Sequence, residues 1–150
     1  MTIWRNIKRG RYHISFYSSQ SQISGYISGS NLINLTDDNG TGSIDQGVLN
    51  SVITAVSNTV DGLLSCVYAV PFNPVPTLVA EAATTFACES LMRRRLVPGE
   101  ENPFTREANS FRELLKEIAQ KRGGLNATTV SAFPAGIVQA TWSLVNSSTA

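Results

Sequence analysis

The stretch from residue 35 to 45 reads Leu35-Thr-Asp-Asp-Asn-Gly-Thr-Gly-Ser-Ile-Asp45, and apolar residues follow at Val48, Val52, Val56, Val60, Leu63 and Val67. A glycine-turned acidic loop running into a stripe of three- and four-residue spacing predicts a joint that starts a helix of about five turns. Asp45 stands where a side chain caps the helix or charges its N-terminus. Leu49, Ile53 and Leu64 reinforce the stripe. Many of these residues are β-branched and Gly62 lies among them, so packing rather than intrinsic propensity must hold the helix.

On the C-terminal side, Pro71, Pro74 and Pro76 stop this helix and force an extended connection. A second helix starts near Pro76, with Leu78, Val79, Ala82, Ala83, Phe86, Ala87, Ser90 and Leu91 on one face. Its small residues allow close approach of a neighbour. It ends in Arg93-Arg94-Arg95, cations where the helix dipole favours them, and then Pro98-Gly99. A third helix is predicted from about Pro103 to Lys121, with Phe104, Ala108, Phe111, Leu114, Leu115 and Ile118 inward. Glu113 and Glu117 pair with Lys116 and Lys121 on its outer face.

On the N-terminal side, Ile23, Ile27, Leu32, Ile33 and Leu35 suggest a further helix over 23–35, weakened by Gly25 and Gly29. Ser18-Ser-Gln-Ser-Gln22 reads as a flexible connector, and Tyr12–Ser18 alternates Ile14 and Phe16 with polar neighbours like a short strand. Residues 125–150 carry no charge and many Ser and Thr, with anchors at Val130, Phe133, Ile137, Val138, Trp142, Leu144 and Val145. The Val138–Val145 stretch alternates weakly and is a second candidate strand. The expected architecture is all-α: a small helical bundle of three to four helices over 23–122. A basic, aromatic arm (1–22) and an uncharged docking arm (123–150) flank it, with short strands placed in the arms.

At 150 residues the chain is most simply one domain with a real core. Only 15% of residues are charged, against about 25% in an average protein. The charges are segregated: Arg5, Lys8, Arg9 and Arg11 open the chain, and no Lys or Arg lies between Tyr12 and Met92. The acids Asp37, Asp38, Asp45, Asp61, Glu81 and Glu89 occupy that interval. Surfaces of different sign suit ordered stacking against partners. Cys66 and Cys88 each fall in an apolar helical pattern and are expected as buried free thiols in a reducing cytosol. The basic N-terminus is not followed by a continuous apolar run, so no signal peptide is expected, and no membrane span is predicted.

A catalytic constellation is not legible. His13 is the single histidine and lies in the basic arm, and neither a phosphate-binding glycine loop nor a dinucleotide fingerprint is present. An enzyme is therefore not expected, nor is a cofactor. The loop deserves a comparison with calcium sites, since Asp37, Asn39, Thr41 and Asp45 are weak candidates for a metal. With Asp37 counted first, the twelfth place, where a calcium loop needs a bidentate Glu, is Val48. An Asx-turn loop with a helix cap is the favoured reading, and a calcium-binding interaction module is an alternative. The Arg5–Arg11 arm, with Trp4, Tyr12, Phe16 and Tyr17 interleaved, suits an acidic protein surface better than nucleic acid in the absence of a folded nucleic-acid motif. Arg93, Arg94 and Arg95 are read as a solvated helix end or an intersubunit contact.

Taken together, Leu32-Ile-Asn-Leu-Thr-Asp37, the loop ending Ile44-Asp45, Val60-Asp61-Gly62-Leu63-Leu64, Tyr68-Ala-Val-Pro71 and Pro76-Thr-Leu78 form a combined pattern. It resembles the Mu-like bacteriophage family of head–tail connector (adaptor, head completion) proteins, over about residues 30–122. Leu64 stands where that family commonly has an aromatic residue, and Val70 replaces its usual Leu. The resemblance implies a virion neck protein that forms a homo-oligomeric ring, twelvefold in expectation, between the phage portal protein and a tail-side neck or tail terminator protein. DNA would pass through the lumen without sequence recognition, and synthesis would be in the host bacterial cytoplasm. A tail terminator or head-closure protein is the nearest alternative. The resemblance assigns no catalytic or ligand residues. Phe133, Ile137 and Trp142, with Arg93–Arg95, are the expected partner-docking residues.

Overall fold

A computed structural model describes residues 16–121 together with residues 124, 125, 127 and 129. It contains α1 (Gln20–Ser24), α2 (Gly29–Thr36), α3 (Gln46–Leu64), α4 (Thr77–Arg93) and α5 (Thr105–Lys121). The described residues contain no strand, only an isolated antiparallel bridge between Tyr68 and Thr129. The class is all-α, as the sequence periodicity predicts. The candidate strand at Val138–Val145 lies outside the described residues.

Serine hydroxyls start the two short helices. Ser19 accepts from the Gln22 backbone N–H at 3.3 Å, and Ser28 accepts from that of Asn31 at 3.4 Å. The stretch expected as a flexible connector is thus a capped helix start, and the single helix expected over 23–35 is two helices. Gly25 turns the chain between them, its N–H bonded to the Gln22 carbonyl, while Ile23 and Ile27 are both buried. The alternation expected just upstream has the opposite sense where it is described: Phe16 is half-exposed and Tyr17 is buried. Tyr17 is the inward residue because its hydroxyl finds partners on α3 and on the loop after it.

Helix α3 forms where the stripe predicts it, but its buried face is shifted towards the reinforcing residues, and Val48, Val52 and Leu63 are only partly covered. Leu49, Ile53, Val56, Val60 and Leu64 are buried, each contributing roughly 2 kcal/mol of transfer free energy. The proline-rich segment after it includes cis Val70–Pro71 and Asn73–Pro74 bonds. It delivers Pro76 as the N-cap of α4, so the helix itself begins at Thr77.

Helix α4 touches each of the other four helices. Residues Ala82 to Glu89 are buried without interruption, which a one-faced helix would not show. The predicted face is inward, and the residues behind it, Thr84, Thr85, Cys88 and Glu89, are covered as well. Small side chains make this central position tolerable. The Thr84 hydroxyl donates to the Ala80 carbonyl at 2.7 Å and lies 2.9 Å from that of Ser18. Helix α5 buries Ala108, Leu115 and Ile118 and keeps Phe111 partly covered, whereas Leu114 is exposed rather than inward. Lys116 pairs with Glu113 at 2.8 Å and Lys121 with Glu117 on the outer face. Cys88 is buried and its thiol is pushed up to about 12, by burial first and then by the nearby Glu107 charge. Cys66 is exposed, contrary to expectation, because it lies in the turn beyond the last residue of α3.

Past α5 the chain turns back onto the bundle. Gly124 takes φ +113°, a left-handed conformation, and a Cβ there would stand 3.3 Å from Ile118 Cγ1. Leu125 and Ala127 pack against the core, and the Leu125 N–H donates to the Tyr68 hydroxyl at 3.3 Å.

Candidate functional site

The α2–α3 loop is organised by its own oxygens. Asp37 Oδ1 accepts from the Thr41 N–H at 2.9 Å and the Thr41 hydroxyl at 3.2 Å, and Asp37 Oδ2 accepts from the Gly42 N–H at 2.6 Å. Gly40 and Gly42, at φ +69° and +75°, supply the left-handed turns that bring those N–H groups round. The donors hold the Asp37 carboxyl below the usual carboxylate range, the Thr41 and Gly42 backbone N–H groups foremost.

The loop is closed at its far end by Thr36 and Asp45. The buried Thr36 hydroxyl donates to the Leu32 carbonyl at 2.8 Å and accepts from the Asp45 N–H at 3.2 Å. Asp45 Oδ1 in turn accepts from the N–H groups of Gly47 at 2.8 Å and Val48 at 3.1 Å, which caps α3. Asp45 thus ties to the last residue of α2 through its backbone N–H and begins α3 through its side chain.

Asp38 points the other way, to the end of α4. Its two oxygens accept from Arg94 at 2.5 Å and Arg95 at 2.7 Å, and Arg95 also donates to the Asp37 carbonyl at 3.4 Å. The Arg94 hydrogen bond is the main reason its carboxyl sits below the usual range. Arg93 instead pairs with Glu89 at 3.1 Å. The arginine run is a helix end with exposed side chains, as one of the two expected readings has it, and within it Arg94 and Arg95 clasp the loop to the end of α4.

The weak metal candidates are placed accordingly. Asp37 presents both oxygens to backbone donors, Thr41 donates to Asp37 and lies 2.9 Å from the Ser43 hydroxyl, and Asp45 faces a helix N-terminus. Asn39 is exposed on the turn between them. Val48 is partly buried on α3 at the place where a calcium loop carries its anchoring Glu. Among the described residues, no group of three or more His, Cys, Asp or Glu side chains is arranged to hold a metal ion. What the geometry does is mechanical: it fixes the angle between α2 and α3 and ties both to α4.

Two interior polar clusters escaped the sequence reading. Glu89, 2% exposed, receives a bidentate approach from Arg112 of α5, whose guanidinium also lies over the Phe86 ring at 5.0 Å from its centre. A lone acid between buried residues, with Arg93 four positions on, was the available signal. Tyr17 donates to Asp61 and accepts from the Phe72 N–H at 3.0 Å, joining segments that are 44 and 55 residues away. Burial, followed by the Asp61 hydrogen bond, raises the Tyr17 hydroxyl above its ordinary range, and burial raises the Asp61 carboxyl. No local pattern marks such a contact.

Phe133, Ile137 and Trp142, and the basic residues Arg5 to Arg11, lie outside the described residues. No helix among the described residues is long and apolar enough to cross a membrane. No curated protein matches the chain. The family described as "Bacteriophage Mu, Gp36" matches residues 17–136. That span is wider than the 30–122 expected from the motifs: it takes in α1 and the turn-back after α5. With its whole described helical body inside the match, the chain belongs to the bacteriophage Mu Gp36 family and is a Mu-like phage protein.

Proposed function

We propose that this protein is a structural subunit of the phage virion, a head–tail connector at the neck. It assembles as a ring, twelvefold in this reading, between the portal and the tail-side neck proteins, and its lumen passes DNA without reading sequence. No catalytic step belongs to this role.

The observation that carries the reading is the family match over the entire helical body. The polar chemistry of that body supports it. Asp37, Asp38, Asp45 and Glu89 are engaged in turns, a cap and ion pairs, so they serve to hold helices in register. The uncharged C-terminal arm supplies the apolar anchors for a partner, Phe133, Ile137 and Trp142.

Truncation tests the arm's part in assembly. The cut belongs after Thr129 rather than at Gly124, because Leu125 and Ala127 pack on the core and Thr129 bridges to Tyr68. The truncated protein should fold and fail to join particles; normal assembly of that variant would count against the proposal. Copy number in purified rings separates a twelvefold connector from a sixfold tail-terminator ring.

A further inference from the structure

Of the three loop acids, Asp38 is the one whose carboxylate does not shape the loop. Asp37 is engaged by the Thr41 and Gly42 N–H groups, and Asp45 by the start of α3. Among the described residues, the Asp38 carboxylate accepts only from Arg94 at 2.5 Å and Arg95 at 2.7 Å, one on each oxygen. The turns of the loop are therefore held without it.

The backbone under the two arginines is also fixed independently of Asp38. The Arg94 N–H donates to the Leu91 carbonyl at 3.2 Å and the Arg95 N–H to the Met92 carbonyl at 3.1 Å, which closes the last turn of α4. Arg95 keeps a second side-chain bond, to the Asp37 carbonyl at 3.4 Å. Arg93 has Glu89 as its own partner and stands apart from this fork. Two guanidinium groups converging on one carboxylate, one per oxygen, form the donor arrangement that recognises an oxyanion. Asp38, Arg94 and Arg95 all reach solvent, and an ion pair in that setting adds little to stability and exchanges readily.

We propose that Arg94 and Arg95 form an oxyanion site that Asp38 fills in the free subunit, and that a carboxylate side chain of a neighbouring protein takes it over in exchange for Asp38. Charge favours a protein carboxylate over a nucleic-acid phosphate. All eleven Asp and Glu of the chain lie among the described residues, but only seven of its twelve Lys and Arg do, a net charge of −4 for the helical body. That body repels a long polyanion, whereas a single acidic side chain meets far less repulsion and replaces Asp38 like for like. The neighbour's place in a virion rests on the neck reading; the exchange itself does not, and it is measured on the free subunit.

Binding of a penta-glutamate peptide to the full-length protein at low ionic strength tests the exchange. Asp38→Ala should bind the peptide about fivefold more tightly than the unmodified protein, because the internal competitor is gone. Asp38→Asn, which keeps the shape of the side chain, should shift in the same direction. Adding Arg94→Ala and Arg95→Ala to Asp38→Ala should abolish the gain. Glu81→Ala removes the same charge from the opposite end of α4 and should leave the affinity within roughly twofold. No gain in either Asp38 variant, an equal gain in Glu81→Ala, or a gain that survives loss of both arginines would overturn the proposal. A larger gain for duplex DNA than for the peptide would overturn the choice of a protein carboxylate.

Discussion

Arg112 of α5 reaches the buried carboxylate of Glu89 on α4, in the seam between the central helix and its C-terminal neighbour. Glu89 has been taken out of water, and Arg112 with Arg93 supplies the compensating positive charge. Removing the partner leaves the buried charge exposed to the full desolvation cost. Arg112→Ala should destabilise the fold by roughly 3 kcal/mol, measured by denaturant unfolding. Replacing both Glu89 and Arg112 with Leu should recover most of that loss, because no buried ion then remains. A double variant as unstable as Arg112→Ala would mean that the ion pair itself, and not the orphaned charge, determines the effect.

Asp37 gives the loop an acid-sensitive component. Its carboxyl is held below the ordinary value of 3.8 by the Thr41 and Gly42 N–H groups, so the ionised form favours the folded state. That contribution is complete above the ordinary value and is lost as pH falls through the lower folded value. The melting-temperature gap between the unmodified protein and Asp37→Asn should be widest near neutral pH and close progressively below about pH 4. Added calcium should leave both melting curves unchanged, since both Asp37 oxygens already face backbone donors.

Thr85 is a polar group in the wrong environment. Its hydroxyl oxygen is buried and has no hydrogen-bond partner among the described residues. Thr85→Val removes the unsatisfied group at nearly constant volume and should stabilise the protein by about 1 kcal/mol, read as a rise in unfolding midpoint. A loss of stability would indicate that the hydroxyl is hydrogen-bonded in solution.

Much of the helical body could be read from residue order because its signals are local. The Val48–Val67 stripe, the prolines after it and the Glu–Lys spacing of α5 each act within a few turns. Asp45 was recognisable as a cap for the same reason. The errors arose where distant parts decide the outcome. Tyr17 rather than Phe16 faces inward because Asp61 and Phe72 wait for its hydroxyl. Helix α4 is covered all round from Ala82 to Glu89 because it touches four other helices, which its own sequence states only through its small residues. The pairing of Arg94 and Arg95 with Asp38, 56 and 57 residues earlier, is a further contact that their local sequence does not announce. The site was therefore visible as a loop but not as a clasp.

The neck assignment is tested most directly by imaging purified particles that carry an electron-dense label on this subunit. Label confined to a ring at the junction of head and tail is the predicted result. Label on the capsid shell or along the tail, or particles without label, would contradict it.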